Sequence, residues 1–142
     1  MENTESTAIV SIGTIMNQQP GTMLCSIAPK PGDREQAKVV YNAMNNPTHN
    51  LRDFVNKKIS VENVLIEIND IMNEETGEVD RVPRTVLISP DGTSYRATSK
   101  GVFNSIKNAY LAFGEAPWEG GIDFEVKQIS VGRGQMLTLE MV

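Results

Sequence analysis

The stretch Ile59-Ser60-Val61-Glu62-Asn63-Val64-Leu65-Ile66-Glu67-Ile68 decides how this 142-residue chain folds. Ile59, Val61, Val64, Ile66 and Ile68 keep the alternating period of a strand, with one slip between Val61 and Val64. A single slip of phase predicts a β-bulge, the device that bends a long strand around a small barrel. Downstream, Asn73-Glu74-Glu75-Thr76-Gly77 reads as a hairpin turn with Gly77 at the left-handed position. A second strand follows over residues 79–89, where Pro83 asks for an edge position or a bulge. Pro90-Asp91-Gly92 is a tight turn, and residues 94–98 make a third strand. Ser99 is placed to cap a helix from Lys100 to Phe113, with Gly114 as its stop. Its apolar stripe is Val102, Phe103, Ile106, Tyr110 and Phe113. After a loop holding the one tryptophan, Trp118, strands four and five are expected at 122–131 and 135–141, joined by Gly132-Arg133-Gly134. This mainly β order with one helix, β-β-β-α-β-β, is that of the OB-fold, a five-stranded antiparallel Greek-key barrel.

Upstream of the barrel core (residues 59–142) the pattern is less regular. Residues 1–21 are polar apart from an apolar patch and end on the breaker Pro20-Gly21. They read as an N-terminal arm, either flexible or docked through Ile9, Ile12 and Ile15 on the barrel or on a neighbouring subunit. Residues 22–142 are expected to be one domain. Residues 23–28 fit a short strand, and Asp33 caps a helix running to Asn45 with Ala37, Val40, Tyr41 and Met44 on one side. Residues 50–57 fit a helical turn with Leu51, Phe54 and Val55 turned inward.

Composition narrows the functional classes. Apolar residues make up 39% and charged residues 22%, as in ordinary soluble domains. No apolar run approaches the roughly 20 residues that span a bilayer. The N-terminus MENTESTAIV lacks the basic region of a secretory signal. A cytoplasmic protein without membrane contact is expected. The net charge of −5 argues against a surface clothed in phosphate. Its distribution softens that argument: residues 1–58 carry +1 and residues 59–142 carry −6, with six acids crowded between Glu67 and Asp80.

No enzyme signature emerges, and no cofactor is implied. The one histidine, His49, and the one cysteine, Cys25, make neither a nucleophile–base pair nor a zinc site. The acidic cluster lacks the spacing of a calcium loop. What remains is a binding surface. A single strand is held by cations along its backbone and by flat side chains under its bases. Arg81, Arg84, Arg96 and Lys100 fall on or just after strands two and three, the usual nucleic-acid face of an OB barrel. A two-residue turn at Asp91-Gly92 sets Ile88 against Tyr95, with Val86, Ile88, Tyr95 and Ala97 inward and Thr85, Leu87, Arg96 and Thr98 outward. A three-residue turn sets Tyr95 beside Leu87 instead. Tyr95 is therefore open between core and stacking platform. Trp118 is open between plugging a barrel end and stacking on a base. Phe103, Tyr110, Phe113 and Phe124 read as core. Lys57 and Lys58, before strand one, and Lys127 and Arg133, around the last hairpin, are further phosphate candidates.

From Ile59 onward the chain resembles the small single-stranded DNA-binding proteins of phages and conjugative elements of Gram-positive bacteria. The resemblance is carried by residues 73–79 (NEETGEV), 83–88 (PRTVLI), 92–97 (GTSYRA), 101–105 (GVFNS), 113–119 (FGEAPWE) and 132–139 (GRGQMLTL). It implies an OB-fold and non-catalytic, sequence-tolerant binding of single strands by several subunits side by side, in replication or transfer of a mobile element. It does not separate DNA from RNA. The rival expectation is an OB-fold protein–protein interaction module that meets a replication or conjugation complex through its acidic surface.

Overall fold

The computed structural model describes residues 11–132 and 134–142. In chain order its elements are β1 (Met23–Cys25), α1 (Arg34–Asn45), β2 (His49–Asn50), β3 (Lys58–Val61), β4 (Asn63–Met72), β5 (Val79–Ile88), β6 (Ser94–Ala97), α2 (Lys100–Phe113), β7 (Ile122–Val131) and β8 (Gly134–Met141). Short 3-10 turns lie at Ile15–Asn17 and Leu51–Phe54.

The phase slip marks a change of sheet rather than a bulge within one long strand. Glu62 separates β3, which pairs antiparallel with β7, from β4, which pairs antiparallel with β5. The chain thus leaves one sheet and joins another within one bent segment. Ile59 and Val61 before the bend, and Val64, Ile66 and Ile68 after it, all stay in one buried core.

The fold is mainly β with two helices, but the expected closed barrel is not formed. Two sheets are present, one ordered β1-β4-β5-β6-β2 and one ordered β3-β7-β8. Among the described residues no ladder joins β6 to β8. Helix α2 explains the gap. Ser99 caps it by accepting from the Gly101 and Val102 amides, and the same hydroxyl donates to the Leu137 carbonyl at 2.9 Å. The Leu139 amide donates to Ser105 Oγ at 3.2 Å. Gly101 makes this approach possible, because a Cβ there would collide with the Leu137 carbonyl and the Met136 side chain. The free edge of β8 is therefore bonded to side chains of α2.

The central sheet is buried on both faces. On the inner face Val64, Ile66, Ile68, Leu87, Tyr95 and Ala97 pack with Val102, Phe103 and Ile106 of α2 and with Phe124 and Val126. On the outer face Leu65, Val86 and Ile88 are covered by Ala43 of α1 and by Ile27. This corrects the expected facing of α1. Asp33 does cap it, accepting from the Gln36 amide at 3.1 Å, but its inward residues are Ala43 with Val39 and Val40. Ala37, Tyr41 and Met44 are exposed. Phe113 also leaves the expected stripe and is 54% exposed. Pro83 meets its requirement for an edge, because the β6 ladder ends at Thr85 and leaves that part of β5 unpaired on one side.

Ile12 and Ile15 are buried in the inner core, and the Gly21 amide donates to the Ile68 carbonyl at 2.7 Å. Residues 11–21 thus pack on the domain. Ile9 lies outside the described residues.

Candidate nucleic-acid interface

Where the barrel fails to close, a groove of about 750 Å³ opens between β6 and β8. One wall comes from Asn50, Arg52 and the run Arg96 to Lys100, the other from Gln128 and residues 134–137, with Asp80 and Val82 at its side. Three cations and one carboxylate line it, in a chain whose net charge is −5. Backbone-tracking cations in an open groove are the physical requirement for holding a polyanionic strand.

The cationic wall is assembled by a short parallel pairing. β2 lies along β6 with His49 opposite Tyr95 and Asn50 opposite Arg96. The Thr48 amide donates to Ser94 Oγ at 3.0 Å and locks the register. Arg96 Nη2 then donates to Asn50 Oδ1 at 2.7 Å, which holds the guanidinium along the groove wall. Leu51 is fully buried and anchors the following turn, which leaves Arg52 exposed. Lys100 Nζ is 3.4 Å from Asp80 Oδ1, an exposed pair that costs little to open.

The turn that sets the third strand holds three residues, Pro90, Asp91 and Gly92, closed by Ser89 donating to the Thr93 carbonyl at 2.7 Å. Gly92 takes a φ of 90°, which favours glycine. Tyr95 accordingly pairs with Leu87, and Arg96 with Val86. The two-residue register is overturned, and with it the expected facing of Thr85, Val86, Leu87 and Ile88. Thr85 and Leu87 point inward beside Tyr95 and Ala97, while Val86 and Ile88 point outward beneath α1.

The other candidates scatter. Tyr95 is 9% exposed; its ring stacks on His49 and meets the edge of Phe54. Trp118 is 7% exposed, donates from Nε1 to the Gly114 carbonyl at 3.0 Å and packs edge-on to Tyr110. Both rings are occupied inside the protein. Arg84 donates to the Met44 carbonyl at 2.9 Å and so pins the end of α1 to the sheet. Burial holds its pKa down, Glu67 at 3.8 Å raises it, and neighbouring Arg96 lowers it further. Arg81 is bound to Asp70 at 2.9 Å and to the carbonyls of Met16 and Gln18. Lys127 is paired with Glu125 at 2.8 Å, a hydrogen bond that raises its pKa. Lys57 sits 5.5 Å over the Phe54 ring, and Lys58 is exposed at the start of β3. Arg133 lies outside the described residues. Of the expected cations, Arg96 and Lys100 reach the groove. Arg52, Asn50, Gln128 and Gln135 were missed, since only the non-local pairing of β2 with β6 and the position of β8 bring them there.

The sequence matches the family described as Phage Single-stranded DNA-binding protein over residues 27–141. The chain belongs to this family. No curated protein and no solved structure matches it. In this phage single-stranded DNA-binding family member the match spans the three-stranded sheet, every strand of the five-stranded sheet except β1, both helices and the whole groove wall. Among the described residues no cluster of three or more His, Cys, Asp or Glu is placed to hold a metal ion, and no helix is long and apolar enough to cross a membrane.

Proposed function

We propose that this protein binds single-stranded DNA without catalysis, in the groove that an opened OB barrel leaves between β6 and β8. The observation that carries the reading is the gathering of Arg52, Arg96 and Lys100 on one open groove of an acidic chain. These three would contact phosphates, while Asn50, Gln128 and Gln135 offer hydrogen bonds to sugars and bases. Lys57, Lys58, Lys127 and Arg133 would extend the contact beyond the groove. The cations act on phosphates, which carry no sequence information, so the binding is sequence-tolerant, and the protein would serve replication or transfer of a mobile element. Several copies would lie side by side on the strand. Ile12 and Ile15 are used within their own core and so do not supply the link between copies.

The test is fluorescence anisotropy of a labelled oligo-dT against a duplex of equal length at two salt concentrations. The expected result is preference for the single strand, with log K falling against log salt with a slope between about −2, from the three groove cations alone, and about −5, with all seven cations engaged. Absence of binding at low salt overturns the reading. The rival reading, a protein-interaction module, draws on the β4–β5 hairpin, where Ile71, Met72 and Val79 are exposed among Glu74, Glu75, Glu78 and Asp80. A duplex-indifferent protein that fails to bind oligo-dT would favour it.

A further inference from the structure

His49 is the outermost ring of a three-ring stack at the outer edge of the sheet, on the face opposite Asn50 and Arg96 and outside the lining of the groove. Its imidazole lies 5.5 Å from the Tyr95 ring at 27°, a stacked geometry, and 4.8 Å from the Phe54 ring. Phe54 in turn meets Tyr95 edge-on at 5.0 Å. The three differ in access: Tyr95 is buried, Phe54 is half-buried, and His49 is exposed. The same two-residue strand that carries His49 supplies Asn50, which orients Arg96 on the groove wall, and Arg52 follows two residues later. An exposed flat ring backed by two aromatic neighbours, one residue along the chain from the groove wall and with Lys57 over the Phe54 ring, has the chemistry of a base-stacking platform.

We propose that His49 stacks a base of the strand where it leaves the groove and passes the β2 edge, with Tyr95 and Phe54 as supports for its ring. This deepens the single-strand reading and rests on it. Tyr95 then contributes from within the core, by holding His49.

The test uses the full-length protein, wild type and the variants His49→Ala and His49→Phe. Each is titrated at one salt concentration into labelled oligo-dT and into an abasic oligodeoxynucleotide of equal length, which keeps the phosphates and lacks the bases. One lost stack predicts that His49→Ala weakens oligo-dT binding by about five-fold to a hundred-fold. Its affinity for the abasic strand stays unchanged, and His49→Phe keeps oligo-dT binding near the wild-type level. Unchanged oligo-dT binding by His49→Ala, an equal loss on both strands, or no rescue by Phe overturns the proposal while leaving single-strand binding intact. If the wild-type protein binds neither strand, the single-strand reading falls and this proposal falls with it.

Discussion

Thr85 is the one buried side chain among the described residues whose polar atom has no hydrogen-bond partner. It points into the inner core between Ile66 and Ala97, where a hydroxyl gains nothing and loses its hydration. Thr85→Val should therefore stabilise the fold by about 1 kcal/mol. The check is a rise in the urea midpoint with no change in slope. Tyr110 shows the opposite care. Half-buried against Trp118, its phenol is pushed up to about 12, chiefly by burial. The pKa in the unfolded chain is about 10, so the folded state holds the proton more tightly. Its contribution is complete below about pH 10 and is lost as pH rises through about 12. Tyr110→Phe should lose less stability than wild type between pH 9 and pH 12, measured by denaturant titration at each pH.

At the scale of elements, the contact between α2 and β8 determines whether a groove exists. Gly101 lies inside the helix, where propensity alone predicts that alanine stabilises by about 1 kcal/mol. The Leu137 carbonyl and Met136 side chain occupy the space a methyl would need. Gly101→Ala is accordingly expected to destabilise by a net of up to about 2 kcal/mol, since overpacking costs about 1–3 against that gain of about 1. Thermal melts of the two proteins decide between these signs. The hairpin of β4 and β5 is legible in sequence because its signals are local: the Asn73–Gly77 turn, Gly77 at a φ of 75°, and Asn73 Oδ1 accepting from the Glu75 amide at 2.9 Å. The register after Pro90 was less so. Val86-Leu87-Ile88 and Val64-Leu65-Ile66 are unbroken apolar runs, because α1 covers the outer face while the core covers the inner one. With both faces apolar, alternation carries no information about which residue points where.

At the scale of the whole molecule, charge and shape act together. Eight of the eighteen acids lie on the β4–β5 hairpin and the loop before β7, while Arg52, Arg96 and Lys100 meet on the groove with Asp80 as its one carboxylate. Replacing Arg52 or Arg96 by alanine should weaken binding to all oligonucleotide sequences alike and flatten the salt slope by about 0.7 each. Lys127→Ala should change the slope less, because Glu125 already neutralises that cation at 2.8 Å. Anisotropy titrations across a salt series measure all three. The N-terminal segment belongs to the same body: Ile12 and Ile15 fill the inner core, and Arg81 ties Met16 and Gln18 to β5. Removing residues 1–20 should lower the melting temperature of the entire domain.

By itself the sequence determined the order of strands and helix from about residue 58 onward, the break in phase between Val61 and Val64, the capping of both helices and the resemblance of roughly its last 85–100 residues to a single-stranded DNA-binding family. Each of these rests on local periodicity, turn chemistry or a contiguous string. Only the tertiary structure decided that the barrel stays open, that Tyr95 and Trp118 are spoken for inside the core, and that Arg52 rather than Arg84 lines the groove. Those outcomes depend on two residues of β2 finding β6 some 46 positions away, and on Gly101 letting α2 reach β8. Pairings that short and that distant leave no periodic trace in the chain.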